Sequence, residues 1–392
     1  MTLRLFGYLA VMAALLVTGL STGAQVYYLL LLTLAMLLVI SFASVLWTLA
    51  TLKVEMKGVK TRVTRGESLM TLFTVRHQSL LPVGSVRVIV SVPSASSPAQ
   101  ELSVSTPPFQ EKTFRHMIRC PHRGSYETGV NALWAVDLFG LFRLHRRARA
   151  RLVRVDVLPR VGEARLLELK VSDSGPEILS RATEDAASPS DVRKWQDGDV
   201  LKKVHWKLTM RRRELMVRTF EESSRPDTLI IPDLSEIAAL SDQALTIEDC
   251  VCEACVSAAK AQLEASYPVR MPLTASQPSE IAGQFPADFP VFHDALMRVK
   301  FDSPYPYEQV LMLMMQRMQR TGGAVLVTPK LTSRVADMAL RMQRSGIATK
   351  LIWITDTQRS ESLEMVERLK MESVAVERAN PWSDQLEIRA EA

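Results

Sequence analysis

The first fifty residues contain two long runs without a charged side chain, and these runs limit the possible folds more than any other feature. Residues 5–21 are apolar apart from small and hydroxyl side chains, and residues 26–50 form a longer uncharged run. The neutral residues 22–25 separate the two runs. Because about 20 helical residues cross the hydrocarbon core of a bilayer, the spacing predicts a transmembrane helical hairpin over residues 1–51.

Basic side chains flank this hairpin on both sides. Arg4 precedes the first run, and five basic residues follow the second: Lys53, Lys57, Lys60, Arg62 and Arg65. Positive flanks remain on the cytoplasmic side of a membrane, so we expect both termini and the later domains to be cytoplasmic. A net charge of +6 also fits an anionic lipid surface as a partner. The alternative is a cleaved signal peptide over the first run, which would place the later basic cluster outside.

Residues 52–160 have the composition of a β domain. Residues 69–75 and 83–92 are rich in β-branched and apolar residues, and Pro, Gly and Ser separate such segments. Short strands with turn residues between them predict a small β-sandwich. Phe139 and Phe142 are expected to fill its core, with Gly140 at the bend between them.

The four cysteines agree with a reducing compartment, where thiols stay free. Cys250, Cys252 and Cys255 have a spacing that could indicate metal binding, but no fourth Cys or His lies within the usual distance. A helix turns about 100° per residue, which places Cys252 and Cys255 on one face and Cys250 off it. We therefore expect small apolar residues on a packed helix.

From residue 225 to 392, short apolar segments alternate with longer helical patterns. Buried strands are predicted near residues 228–233, 269–273, 324–327 and 350–354, and helices lie between them. Such alternation predicts a mostly parallel sheet with helices on both faces. The whole chain is thus expected to be an α+β multidomain protein, with residues 161–224 linking its β and α/β domains.

That linking region contains a dense run of charged residues with two tryptophans, Trp195 and Trp206. Asp197 and Asp199 flank a glycine, as in a tight turn. Val204, Trp206 and Leu208 alternate with polar residues, and Leu215 and Val217 do the same further on. This period of two predicts extended segments with one buried face.

The same run resembles the signature of bacterial membrane proteins known as the domain of unknown function 58 family. The matching residues are Arg193, Trp195, Asp197, Gly198, Asp199, His205, Trp206, Lys207, Arg211 and Arg218. The chain departs from the family at Thr209 and Met210, where Ser and Ala are usual. The resemblance implies an inner-membrane protein, a MoxR-type AAA+ ATPase as partner, and a von Willebrand A-like domain over residues 225–392.

A von Willebrand A-like domain implies an adhesion-type metal site that begins Asp-x-Ser-x-Ser. Asp233 and Ser235 match that motif, but Ile237 replaces its second serine. Thr328 or Asp356 could complete a Mg²⁺ site at the carboxyl ends of the strands. Otherwise, Asp233 and Ser235 would cap the next turn, and no other cofactor is expected.

These features favour a membrane-anchored scaffold that binds proteins, rather than an enzyme. A hydrolase using Asp233, Ser235 and His205 is one alternative, although no complete catalytic set accompanies them. A nucleic-acid binder is another, because arginines are frequent over residues 143–154, but stacking aromatics are absent from that run. We expect that run to be a solvated strand face near lipid headgroups. The signature charges Asp197, Asp199, Arg211 and Arg218 are expected to form an internal ion-pair network.

Overall fold

A computed structural model provides the fold. It describes residues 3–58, 60–76, 85–94, 99–104, 110–148, 152–167, 191–195, 206–212, 214–219, 226–318, 321–356, 360–383, 386 and 388–390. The chain forms two compact units, Met1–Pro159 and Arg160–Ala392. Each unit is described separately below.

The first unit begins with two helices, α1 (Leu3–Thr22) and α2 (Gln25–Thr51), as the sequence predicts. Both helices are long and apolar enough to cross a membrane. They form a hairpin in which the Tyr8 hydroxyl of α1 donates a hydrogen bond to the Leu34 carbonyl of α2, at 2.9 Å. Gly19 allows this close approach, since a Cβ there would lie 3.3 Å from the Tyr27 Cβ.

The rest of the first unit is built from strands. They are β1 (Lys53–Lys57), β2 (Arg62–Thr64), β3 (Ser68–Arg76), β4 (Ser85–Ser91), β5 (Ala99–Val104), β6 (Glu111–Arg119), β7 (Gly124–Val136), β8 (Arg143–Arg147) and β9 (Val153–Leu158). One sheet has the order β1-β3-β6, and the other has the order β2-β9-β7-β4-β5 with β8 paired to β7. One apolar cluster includes Phe73 of the first sheet and Val88 and Leu133 of the second. Alternate residues of a strand point to the same face, so each sheet buries one face in this shared cluster.

The turn after β7 differs from the sequence prediction. Phe142 packs against the apolar cluster as expected, but Phe139 is 53% exposed and fills no core. The prediction for Phe139 is therefore wrong, because the turn bends between the two rings and leaves the first outside. Gly140 has φ +71°, which makes it the bend, a conformation that glycine adopts without strain.

The arginine-rich strand β8 is only partly a solvated face. Arg146 donates hydrogen bonds to the carbonyls of Ala50 (3.4 Å) and Leu52 (3.0 Å), at the carboxyl end of α2. This position favours a cation, because the last carbonyls of a helix carry partial negative charge. Arg143 stacks over Trp134, with its guanidinium carbon 4.3 Å from the ring centre.

The second unit contains strands β10 (Asp191–Lys194), β11 (Met216–Thr219), β12 (Asp227–Pro232), β13 (Val269–Leu273), β14 (Ser279–Gly283), β15 (Thr321–Thr328), β16 (Ala348–Ile354), β17 (Ala375–Ala379) and β18 (Ile388–Ala390). Strands β12 to β18 form one sheet with the order β14-β13-β12-β15-β16-β17-β18. Its inner strands are parallel, whereas β14 and β18 are antiparallel edges. The predicted parallel arrangement is present, and the two edge strands are additional to the prediction.

The helices of this unit are α3 (Trp206–Arg212), α4 (Ser241–Glu264), α5 (Phe289–Arg298), α6 (Tyr307–Met315), α7 (Ser333–Arg344) and α8 (Ser360–Met371). Helices α4 to α8 cover the two faces of this sheet. Ile230 of β12 packs in the cluster that includes α4, whereas Ile231 packs in the cluster with α6 and α7. Neighbouring residues of a strand point to opposite faces, so β12 is buried on both sides. Cys250, Cys252 and Cys255 are buried on α4.

Candidate functional site

The candidate site lies where the two central strands end. Asp233 directly follows β12, and Thr328 is the last residue of β15. The two strands are parallel neighbours, and the Asp233 amide donates to the Val327 carbonyl at 2.9 Å. The carboxyl ends of parallel strands meet at one edge, which brings together residues that are far apart in sequence.

The order of the strands makes this edge a topological switch point. From β12 the chain continues to β13 on one side, and it later returns to β15 on the other side. Loops leaving β12 and β15 therefore turn in opposite directions and open a crevice between them. Ligands of open α/β sheets bind at such crevices.

Asp233 organises the crevice through its carboxylate, although its side chain is nearly inaccessible at 2% exposure. Oδ1 accepts hydrogen bonds from the Ser235 amide at 3.1 Å and from Ser235 Oγ at 2.6 Å. Oδ2 accepts a hydrogen bond from Thr328 Oγ1 at 2.7 Å. Hydrogen bonds offset the cost of burying this polar group. The geometry joins the loop after β12 to the end of β15 and has the form of a capped turn.

A second layer supports these contacts. The amide of Lys330 donates to Thr328 Oγ1 at 3.0 Å, which fixes the turn after β15. Below the crevice, the hydroxyl of buried Tyr307 donates to the Ile231 carbonyl at 2.8 Å. Burial, followed by the nearby charge of Asp233, holds the pKa of Tyr307 well above its ordinary value. Tyr307 therefore remains a neutral donor at physiological pH.

The donor set does not fit a resident Mg²⁺ ion. Mg²⁺ binds carboxylates and waters in near-octahedral geometry, whereas both oxygens of Asp233 accept hydrogen bonds from protein groups. Across the part of the chain that the structure describes, no group of three or more His, Cys, Asp or Glu side chains could hold a metal ion. The described geometry provides an organised edge rather than a metal centre.

The same edge carries an open cleft of about 620 Å³ at the ends of β15, β16 and β17. It is lined by residues that follow β15, β16 and β17 and by the first turns of α4: Pro329, Asp356, Trp382, Gln243 and Ile247. Trp382 is 48% exposed, and its amide donates to Asn380 Oδ1 at 3.0 Å, which holds its turn. The sequence interpretation missed Trp382 and Tyr307. Trp382 comes shortly after strand β17, which is a signal that the sequence offers, whereas Tyr307 begins helix α6 and has no such signal.

The signature run forms a small antiparallel pair, β10 with β11. In this pair Arg193 lies opposite Val217, and Arg218 lies opposite Val192. The amide of Trp195 extends the pairing by donating to the Leu215 carbonyl at 2.8 Å. Asp197, Gly198, Asp199 and His205 lie outside the described residues, so their predicted turn and ion-pair network stay predictions.

The extended segment predicted around Trp206 is wrong. Trp206, Lys207 and Arg211 belong to helix α3, and Trp206 is 60% exposed. Lys, Leu, Met and Arg are strong helix formers, and here that propensity outweighs the alternation of apolar residues. The buried face predicted for the last strand is also wrong at Leu215, which is 41% exposed, whereas Met216 is 3% exposed. The Met216 amide donates to Thr209 Oγ1 at 3.0 Å, which ties β11 to α3.

These features define the class of protein: a mixed α/β protein with two N-terminal apolar helices and a sheet that has parallel inner strands. Residues 191–374 match the family described as "Protein of unknown function DUF58", which is the family that the signature run resembles. The match begins at β10, so the signature pair and most of the parallel sheet fall within the matched segment.

The comparisons with curated proteins and with solved structures give no information about function. No curated protein matches the chain. Among solved structures, a beta-glucosidase from Listeria innocua is 12% identical with a TM-score of 0.17, over 26% of this chain and 16% of that one. Cwp6 from Clostridium difficile is 8% identical with a TM-score of 0.20, over 86% of this chain and 53% of that one. The chain therefore spans at most about half of these structures, and such low scores support no inference.

Proposed function

We propose that this protein is a membrane-anchored cytoplasmic scaffold whose parallel sheet presents a binding edge to a partner protein. The observation that carries the proposal is the carboxyl edge of the sheet, where Asp233 joins the loop after β12 to the end of β15 and an open cleft lies at the ends of β15, β16 and β17. The partner proposed from the family resemblance is a MoxR-type AAA+ ATPase acting in envelope or complex assembly.

The anchor in this proposal is the apolar hairpin. Helices α1 and α2 have the length and composition of membrane spans. Arg4 and the basic residues after α2, among them Lys53 and Lys57, favour a cytoplasmic position for both ends. The bacterial inner membrane is the proposed location, and anionic lipid is the expected surface partner.

We further propose that the second unit is von Willebrand A-like. The strand order, the Asp233-x-Ser235 motif after a central strand and a threonine from the neighbouring strand support this relation. In this chain the motif stabilises the edge through hydrogen bonds alone. Partner binding should therefore proceed without a resident metal ion at Asp233.

Co-purification tests the proposal. The full chain, solubilised in detergent, is immobilised and mixed with a purified MoxR-type AAA+ ATPase from the same organism. Three conditions are compared: ATP with Mg²⁺, Mg²⁺ without nucleotide, and EDTA without nucleotide. Trp382→Ala should weaken capture about tenfold, since exposed tryptophans often dominate interfaces. Phe285→Ala is the matched control, because Phe285 is also exposed (66%) but follows β14 at the far end of the sheet.

Two results would contradict the proposal. One is an absence of capture in every nucleotide and metal condition, and the other is an equal effect of the two aromatic substitutions. Capture that needs Mg²⁺ without nucleotide, and that Asp233→Ala abolishes, would instead restore the metal-site interpretation.

A further inference from the structure

Helix α2 divides into two parts that have different surroundings. Over residues 25–40 no side chain is buried, whereas a stripe at helical spacing is buried from there on: Ser41, Ser44, Val45, Thr48 and Leu49. This stripe faces the strands of the first unit, where α2 contacts β7 and β8. The first part of α2 therefore packs against α1, and the rest of its surface is free to contact lipid.

The turn after β7 is fastened to α2 at the point where burial begins. Asp137 follows β7, is 2% exposed, and accepts a hydrogen bond from the Ser41 hydroxyl. The same carboxylate accepts hydrogen bonds from the amides of Phe139 (3.2 Å) and Phe142 (2.7 Å). The rings of Phe42 and Phe142 meet edge to face, with 5.2 Å between their centres. Turn 137–142 therefore has a fixed position on the helix.

This position coincides with the expected boundary of a bilayer. Residues 25–40 of α2 rise about 24 Å as a helix, close to the roughly 30 Å of a hydrocarbon core. The guanidinium group of Arg4, at the start of α1, lies beside the turn, since a Cβ on Gly140 would be 2.8 Å from Arg4 Nη1. A guanidinium is stable among lipid headgroups and costly in hydrocarbon. Both helices thus place the turn at headgroup level.

The tip of the turn presents two large apolar side chains outward. Leu138 is 59% exposed and Phe139 is 53% exposed, although the next apolar residue, Leu141, is buried. We propose that Leu138 and Phe139 insert into the interfacial layer of an anionic bilayer and form a third membrane contact beside α1 and α2. Aromatic and apolar side chains are favoured at this depth, and Arg4 and Arg143 add positive charge nearby. The inference rests on the membrane anchoring proposed above.

Depth-dependent fluorescence quenching tests this contact on the full chain in vesicles of phosphatidylcholine and phosphatidylglycerol. An environment-sensitive fluorophore is attached at Leu138→Cys, at Leu32→Cys on the exposed face of α2, or at Lys112→Cys, an exposed position on strand β6. The unsubstituted chain, whose four cysteines are buried, gives the labelling background. Phe139→Cys replaces Leu138→Cys if that variant does not fold.

We expect the label at residue 138 to show blue-shifted emission and loss of intensity with a lipid that carries a doxyl quencher near its headgroup, and the label at residue 32 to lose intensity with a lipid that carries the quencher deep in its acyl chain. The label at residue 112 should show neither change. If the residue 32 label is quenched but the residue 138 label behaves like the one at 112, the helices enter the bilayer and the turn contact is refuted. If none of the three labels is quenched, the membrane anchoring itself is refuted as well.

Discussion

Replacing Asp233 by alanine tests whether this carboxylate holds the carboxyl edge of the sheet together. It accepts hydrogen bonds from Ser235 and Thr328 while 2% exposed. In the variant, Thr328 Oγ1 can still donate to the Lys330 carbonyl at 3.0 Å. The amide and hydroxyl of Ser235 lose their acceptor and have to donate to water instead. Hydrogen bonds to a charged group contribute about 1.5–3 kcal/mol each, and the recovered contacts offset part of the loss. We therefore expect the free energy of unfolding to fall by about 2–4 kcal/mol.

The chain provides a matched control in Asp302. This carboxylate accepts the same pair of donors from a serine, the Ser276 amide at 3.0 Å and Ser276 Oγ at 2.7 Å, but it lies at the surface. The backbone hydrogen bond from Ser276, followed by its hydroxyl, lowers the pKa of Asp302. Asp302→Ala should cost much less stability than Asp233→Ala, because water can accept the hydrogen bonds that the Ser276 amide and hydroxyl lose.

Thermal unfolding of the full chain in detergent, followed by tryptophan fluorescence, measures both variants. For a unit of this size about 1 kcal/mol shifts Tm by roughly 2–4 °C, so Asp233→Ala should lower Tm by about 4–16 °C. Equal shifts for Asp233→Ala and Asp302→Ala, or no shift for the first, would refute the claim that burial and the Thr328 contact make this carboxylate structural.

Two further carboxylates give predictions of different kinds. Glu253 is fully buried and binds Arg160 through Nε at 2.9 Å and Nη2 at 3.1 Å, so Glu253→Gln should destabilise the protein by about 3–5 kcal/mol. The control Glu264→Gln, in an exposed pair with Lys260 on the same helix, should change stability by about 0.5 kcal/mol or less; similar Tm values for both variants would contradict this. The amides of Gln284 and then Phe285 lower the pKa of Asp288, so its contribution is present above the unfolded-state pKa and disappears as pH falls through the lower folded value. Asp288→Asn should therefore flatten the acid side of a Tm-versus-pH curve, and an unchanged acid slope would count against it.

The sequence predicted the interior of the sheet far better than its edges. Strands β15 and β16 contain the apolar runs 324–327 and 351–354, because both of their faces are covered by helices. Edge strands β14 and β18 are short and carry polar or charged residues, so their pattern is that of a loop. Their pairing depends on neighbouring strands, and local sequence contains little information about it.

The candidate site was predictable in its residues but not in its arrangement. Asp233, Ser235 and Thr328 could all be named from the ends of predicted strands. Their contact depends on β15, and not β13, lying beside β12 on that side, which is a property of strand order. Trp206 shows the opposite case. The apolar residues around it do alternate, and this pattern predicted a strand, but the segment is a helix in which Trp206 is exposed.

Asp233 and Asp137 use the same structural device at two distant places in the chain. Each directly follows a strand, each is 2% exposed, and each accepts hydrogen bonds from the turn that comes next. Each also accepts a hydroxyl hydrogen from an element remote in sequence, Thr328 in one case and Ser41 in the other. A buried carboxylate with donors on both oxygens needs no metal ion to offset its charge. Asp233 and Asp137 thus each hold a turn against a second element through hydrogen bonds. The residues to test for binding are therefore the ones that these turns expose, and not the two carboxylates.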